Sequence, residues 1–156
     1  MQETQTRDVV EVGGDVVEFQ VTSAVSGGAL VAYEVTFAPG GGPPMLHRHE
    51  AFELFRVDAG ELAFYLEDER GETRRSVAAA GTVVAVPGGR EHTVRNESGA
   101  PARAFAVLSP GAGIERFARG AGELGGHGAD ADPAEVLALA AASGIEITRP
   151  VAELDS

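Results

Sequence analysis

The chain has 156 residues, 44% hydrophobic and 23% charged, which suits one soluble domain with a core of its own. A formal net charge of −12 repels phosphate backbones and anionic lipid surfaces, so it argues against nucleic-acid and membrane partners. There is no cysteine, which excludes disulfides, iron–sulfur clusters, thiolate zinc sites and cysteine nucleophiles; any metal must be held by imidazole and oxygen.

The opening MQETQTRDVVEV is polar, without a signal-peptide pattern, and no apolar run is long enough to span a bilayer, so a cytoplasmic location is expected. Val16 to Thr22 alternates as a strand, with Val17, Phe19 and Val21 on one face. Leu30 to Phe37 repeats the pattern with Val31, Tyr33, Val35 and Phe37. DAGE, Asp58 to Glu61, predicts a tight hairpin between two apolar runs. Leu62, Phe64 and Leu66 alternate after it, and Thr82 to Val86, HTVRN and Arg103 to Ser109 are further strands. About six to ten short strands with turn signals between them predict an all-β sandwich or barrel. The barrel is expected over 1–112, with 113–156 as a C-terminal loop and helix packed on it. Gly120 to Asp132 reads as loop. Pro133 to Ser143 reads as a helix, capped by Asp132 with Glu135 at N3 and stopped by Gly144, with a partial apolar stripe through Val136, Leu137, Leu139 and Ala140. Removing the chain from Gly120 onward is expected to leave the barrel's chemistry intact.

The chemistry concentrates in HRHEAFE, His47 to Glu53. On a strand, residues two apart share a face, so His47, His49, Ala51 and Glu53 would point one way. A helix would set the two histidines on opposite sides. Two imidazoles and a carboxylate suit a divalent first-row metal, and His92, after the turn-like VPGGRE, is the candidate fourth ligand.

Read from Gly41, the first segment is G-x5-H-x-H-x3-E-x6-G; read from Gly81, the second is G-x5-P-x-G-x2-H-x3-N. At every fixed position these resemble the two signature motifs of the cupin superfamily, and they cover about a third of the chain, Gly41 to Asn96. The resemblance implies a double-stranded β-helix (jelly-roll) barrel, with one divalent transition metal bound by His47, His49, Glu53 and His92. It leaves the metal open among iron, nickel, manganese, cobalt, copper and zinc. With the tendency of open sheet edges to be covered, it also implies a homodimer.

Four protein ligands on a six-coordinate metal leave two positions for substrate, water or dioxygen. In quercetinase-like cupins the matching glutamate is both ligand and base, which implies that catalytic role for Glu53. By strand parity Ala51 and Phe55 share the ligand face and Val94 shares the face of His92; Tyr33, Phe64 and Phe105 complete the expected pocket lining. Such a pocket suits a flat, apolar chelator of the flavonol or aromatic polyketide type. The expected function is a quercetinase-like dioxygenase. The alternatives are a Lewis-acid isomerase, cyclase or decarboxylase, and a ligand-binding barrel without turnover.

Other features read as structural. Arg48 points outward, Asn96 stabilises the turn after its strand, and His127 is solvated. GAGELG, Gly120 to Gly125, follows no strand and is not a dinucleotide fingerprint, and NES at Asn96 has no secretory context. Ser109 and Ser143 have no nucleophile context.

Overall fold

The computed structural model describes residues 6–125 and 131–155. In chain order the strands are β1 (Asp8–Val12), β2 (Asp15–Val21), β3 (Val31–Phe37), β4 (Met45–Arg48), β5 (Phe52–Ala59), β6 (Glu61–Glu67), β7 (Thr73–Ala79), β8 (Val83–Val86), β9 (His92–Arg95) and β10 (Ala102–Ser109). Helices α1 (Ala112–Gly125) and α2 (Pro133–Ala142) follow, then strand β11 (Glu146–Pro150) and a final 3₁₀ turn, Val151–Asp155. Two antiparallel sheets face each other, one ordered β1-β2-β3-β10-β5-β8 and the other β11-β4-β9-β6-β7. This is the expected all-β double-stranded β-helix. No helix among the described residues is long and apolar enough to cross a membrane.

The inner faces fill the barrel by matching volumes. β10 turns Ala102, Ala104, Ala106 and Leu108 inward, and Ala106 lies between Phe55 of β5 and Tyr33 of β3. Small residues on the central strand leave room for Phe55 and Phe64, whose rings meet edge-on at 5.3 Å. Phe105 therefore faces outward, where the Arg56 guanidinium sits 5.1 Å from its ring. The expectation that it lines the pocket is corrected: the alternation keeps the alanines inside, not the bulky residue.

Asp58 to Glu61 is not a hairpin. β5 pairs with β8 and β10, while β6 pairs with β7 and β9, so the turn carries the chain from one sheet to the other. Gly60 takes φ 74° there, and a Cβ would press on Pro101 O at 3.0 Å. The corner needs both the left-handed backbone and the missing side chain.

The C-terminal segment is more than an appendage. α1 runs through Gly120 to Gly125, which the sequence reading took for loop. A Cβ on Gly120 would lie 2.8 Å from Leu139 of α2, and Gly122 backs onto Val10 of β1, so these glycines let α1 seat closely on both. Arg119 fastens the helix to the barrel with bonds to Asp8 of 2.9 and 2.7 Å, its guanidinium 4.3 Å from the Phe19 ring. Asp132 caps α2 by accepting from Ala134 N at 2.9 Å, and Gly144 ends it at φ 76°, as expected. Leu137 is 53% exposed, so the buried stripe excludes it. His127 lies outside the described residues. β11 then pairs with β4 as the sheet's edge strand, Ile147 opposite His47.

That pairing revises the truncation expectation. A chain ended at Gly144 lacks the outer partner of β4 and is expected to melt lower by about 5 °C or more in a calorimetric scan, with weakened metal retention.

Candidate metal centre

HRHEAFE does not fold as one strand. β4 ends at Arg48 in one sheet and β5 begins at Phe52 in the other, so His49 to Ala51 form the crossing between them. His47 comes from β4, His49 and Glu53 from either end of the crossing, and His92 from β9, where it is the cross-strand partner of His47. The residues converge because the chain turns a corner around them, not through the parity of a single strand. The glycine turn before His92 supports that corner: Gly89 N donates to His49 O at 2.8 Å, and Arg48 Nη1 donates to Gly89 O at 3.2 Å. Arg48 also pairs with Glu67 on the outer face, away from the imidazoles.

Each imidazole is oriented by its own neighbourhood. His47 Nδ1 lies 3.1 Å from Met45 O, His49 Nδ1 3.0 Å from Ala51 O and His92 Nδ1 2.9 Å from Arg90 O, each carbonyl two residues away. A neutral imidazole carries one N–H, so Nδ1 donation leaves an Nε2 lone pair on the other side of the ring. The ring centroids are 4.5 Å apart for His47 and His92, 4.7 Å for His49 and His92, and 5.9 Å for His47 and His49. One donor atom from each falls within 4.8 Å of the others, a grouping able to hold a metal ion. Glu53 Oε2 sits 3.1 Å from His49 Nε2 and 3.2 Å from His92 Nε2. Electron pairs facing a buried carboxylate at that distance need positive charge between them. A divalent metal or shared protons supply it, so the donor set fits a metal.

The protonation states follow. Burial pushes His47 down to about 4, and the charge of His92 acts the same way. Burial raises Glu53, but the hydrogen bonds from His49 and His92 outweigh it and hold the carboxylate at about 2. Burial lowers His49, yet the bond and charge of Glu53 win and set it above 6.5. Burial, then the Glu53 charge, lift Tyr33 well above 10, so it stays a phenol beside the site.

A cavity of about 790 Å³ opens beside His47. One wall is the glycine-rich loop before β4; the other holds Ile114 and Phe117 of α1, Val136 of α2, and Ile145 and Ile147 around β11. None of the six expected lining residues is in these walls. Phe55, Phe64 and Val94 are 3%, 2% and 7% exposed and belong to the solid barrel core. Tyr33 packs against that core, Ala51 serves through its carbonyl, and Phe105 is outside. The reading stopped at the barrel strands, and these walls come from the chain's two ends and the loop between.

Glu91 was also missed. It is 4% exposed and accepts from Thr73 Oγ1 at 2.6 Å, Thr148 Oγ1 at 2.6 Å and Arg149 Nη2 at 2.9 Å, joining β7 and β11 behind His92. Burial alone would raise it, but these bonds, led by Arg149, hold it at about 2. An outward carboxylate beside an inward histidine reads as solvated until β11 returns to cover it. Asn96, fully buried, donates to Phe37 O at 3.1 Å and Ala100 O at 2.8 Å and closes the turn after β9.

Three outcomes are expected. His49→Ala should abolish stoichiometric metal by elemental analysis while the far-ultraviolet dichroism stays β-rich. Glu91→Ala should cost about 2–3 kcal/mol in denaturant unfolding, since it strands several donors at a largely buried position. His49 is protonated below its raised pKa and binds metal only when neutral. Apparent metal affinity, measured by calorimetry across pH, should therefore fall by about tenfold per unit as pH drops below that pKa.

Residues 33–108 match the Cupin_2 family, described as a cupin domain. Among solved structures, an oxalate oxidase in complex with glycolate is 26% identical with a TM-score of 0.53; the match covers 62% of this chain and 52% of that one. A variant of oxalate decarboxylase from Bacillus subtilis is 19% identical with a TM-score of 0.57, covering 66% of this chain and 27% of that one. An RmlC-like cupin from Shewanella frigidimarina is 19% identical with a TM-score of 0.55, covering 70% and 88%. The chain thus spans about half of the oxalate oxidase and about a quarter of the decarboxylase. No curated protein matches the sequence. Residues 33–108 thus match the cupin domain model, and the two-sheet barrel around them is similar to solved cupin structures.

Proposed function

We propose that this chain is a metal-dependent enzyme acting on a small, largely apolar chelating molecule, with quercetinase-like dioxygenation as the leading reaction. The observation that carries the reading is the convergence of His47, His49, His92 and Glu53 beside a cavity with apolar walls. A divalent transition metal held by these four residues would polarise a hydroxy-ketone or enolate and bring dioxygen alongside it. The chain's residues supply the rest. Glu53 takes the substrate hydroxyl proton at the carboxylate oxygen turned from the imidazoles. Tyr33 is kept as a phenol by burial and by that negative charge. His47 borders the cavity and orients the bound head group, while Phe117 and Ile147 keep water from it.

A second reading in the same site is Lewis-acid isomerisation, cyclisation or decarboxylation. The low Glu53 pKa favours it, because a carboxylate held at about 2 is a weak base and a strong ligand. The structural neighbours include an oxidase and a decarboxylase, and a Bacillus subtilis oxalate decarboxylase has Mn(II) centres, which supports metal-dependent chemistry without choosing between the two. We also infer a homodimer: edge strands β7 and β8 expose Val77 (50%) and Val83 (56%), surfaces a second copy would cover.

The test combines elemental analysis of the untagged protein with oxygen uptake over a panel of flavonols and aromatic polyketides. About one equivalent of metal and substrate-dependent oxygen consumption are expected, with Glu53→Gln slower by about 100-fold or more. Product formed without oxygen uptake moves the assignment to the Lewis-acid reading. Tight binding without turnover makes the protein a ligand-binding barrel. Light scattering at two concentrations should give twice the chain mass.

A further inference from the structure

The cavity beside His47 has charged residues in its wall, but both are engaged in holding the loop. Asp15 accepts from Ala38 N at 3.0 Å and Gly42 N at 2.8 Å. Arg95 donates to Gly42 O, and to Gly40 O at 2.9 Å. The loop backbone is tied further, with Gly40 N on Asn96 O at 2.8 Å and Asn96 N on Gly41 O at 3.0 Å. The guanidinium is thus committed to carbonyls, and the carboxylate to amides. Apart from His47, what the wall offers a ligand is apolar: Met45 from the barrel, and Phe117, Val136 and Ile147 from the C-terminal segment. These three are partly exposed, although similar residues are buried elsewhere in the fold. Ile147 is the cross-strand partner of His47, so apolar wall and candidate ligand meet at one point of the sheet. A bulge at Thr148, between Ile147 and Arg149, sets that register, and Glu91 grips it from behind.

We propose that the C-terminal segment is the specificity element of the site. Phe117, Val136 and Ile147 recognise the apolar body of a neutral or monoanionic chelator whose donor atoms reach the metal past His47. Beyond the metal, a compact dianion such as oxalate meets only Arg95 in this wall, whose donors are spent on Gly40 O and Gly42 O and whose charge is offset by Asp15 in the same wall. A cavity of about 790 Å³ accommodates a ring system of two or three fused or linked rings. The proposal rests on the metal reading of His47, His49, Glu53 and His92, and its test separates the two.

Cobalt(II) is first titrated into the metal-stripped protein and read by visible absorption. Tropolone, a flat monoanionic chelator, and oxalate are then titrated into the cobalt-loaded chain and read in the same band. Tropolone is expected to bind more tightly than oxalate. Val136→Trp, which fills the cavity, and Phe117→Ala and Ile147→Ala, which remove wall contacts, should each weaken tropolone by about tenfold while cobalt stoichiometry and the oxalate response stay unchanged. Three variants on three elements keep the test standing if one fails to fold. Cobalt bound normally, with tropolone unaffected by every folded variant or weaker than oxalate in the parent chain, overturns the proposal and leaves the metal reading in place. Absence of cobalt binding in the parent chain overturns the metal reading, and the proposal with it.

Discussion

Four electron-pair donors aimed at one buried point are the constraint on which the rest of this barrel depends. Buried imidazoles and a carboxylate repel unless positive charge lies among them, and they spread apart unless something holds each ring. Here the holding is local. Each Nδ1 meets a carbonyl two residues away in the chain, so ring direction is set by backbone conformation instead of by distant packing. The tertiary structure must then bring the backbones together, and it does so across both sheets.

The corner at His49 to Ala51 is where that happens. A straight strand would have placed the donors in a row about two residues apart, too far along the axis to share an ion. Turning the chain from one sheet into the other folds the row into a cluster. The Gly88–Gly89 turn buttresses the corner from outside, and the barrel core fills the space beneath it. Because Ala104 and Ala106 are small, Phe55 and Phe64 fit between the sheets and the interior closes as a solid core. The cavity beside His47 lies at the barrel's edge.

That edge is built by parts of the chain distant in sequence. The loop before β4, the hairpin β1–β2 and the helices after β10 meet around His47. Arg119 on Asp8 ties the first helix to the first strand, and β11 completes the sheet that carries His47 and His92. Glu91 joins these layers: its neighbour His92 faces the site while its own carboxylate anchors the returning strand. The candidate metal site and the cavity wall are both built on this strand, through Ile147 beside His47.

The sequence by itself determined the β class and the helix caps, and it singled out the candidate donors. Those signals are local: residue type at a fixed spacing, period-two alternation over Val17 to Val21 or Leu62 to Leu66, and Asp132-Pro133 before an apolar run. It also brought His47, His49, Glu53 and His92 together by a different route from the structure's, one strand where there are two. Only the tertiary structure decided that Asp58 to Glu61 crosses between sheets, that Phe105 faces out and that Gly120 to Gly125 is helical. The same holds for Glu91, which is buried, and for the cavity walls, which belong to the C-terminal segment. Each of these depends on what lies opposite: Pro101 behind Gly60, Phe55 beside Ala106, Leu139 against Gly120, β11 over Glu91. A residue's own chemistry states what it can do, but its burial is a property of its neighbours, and those neighbours arrive from up to about a hundred residues away.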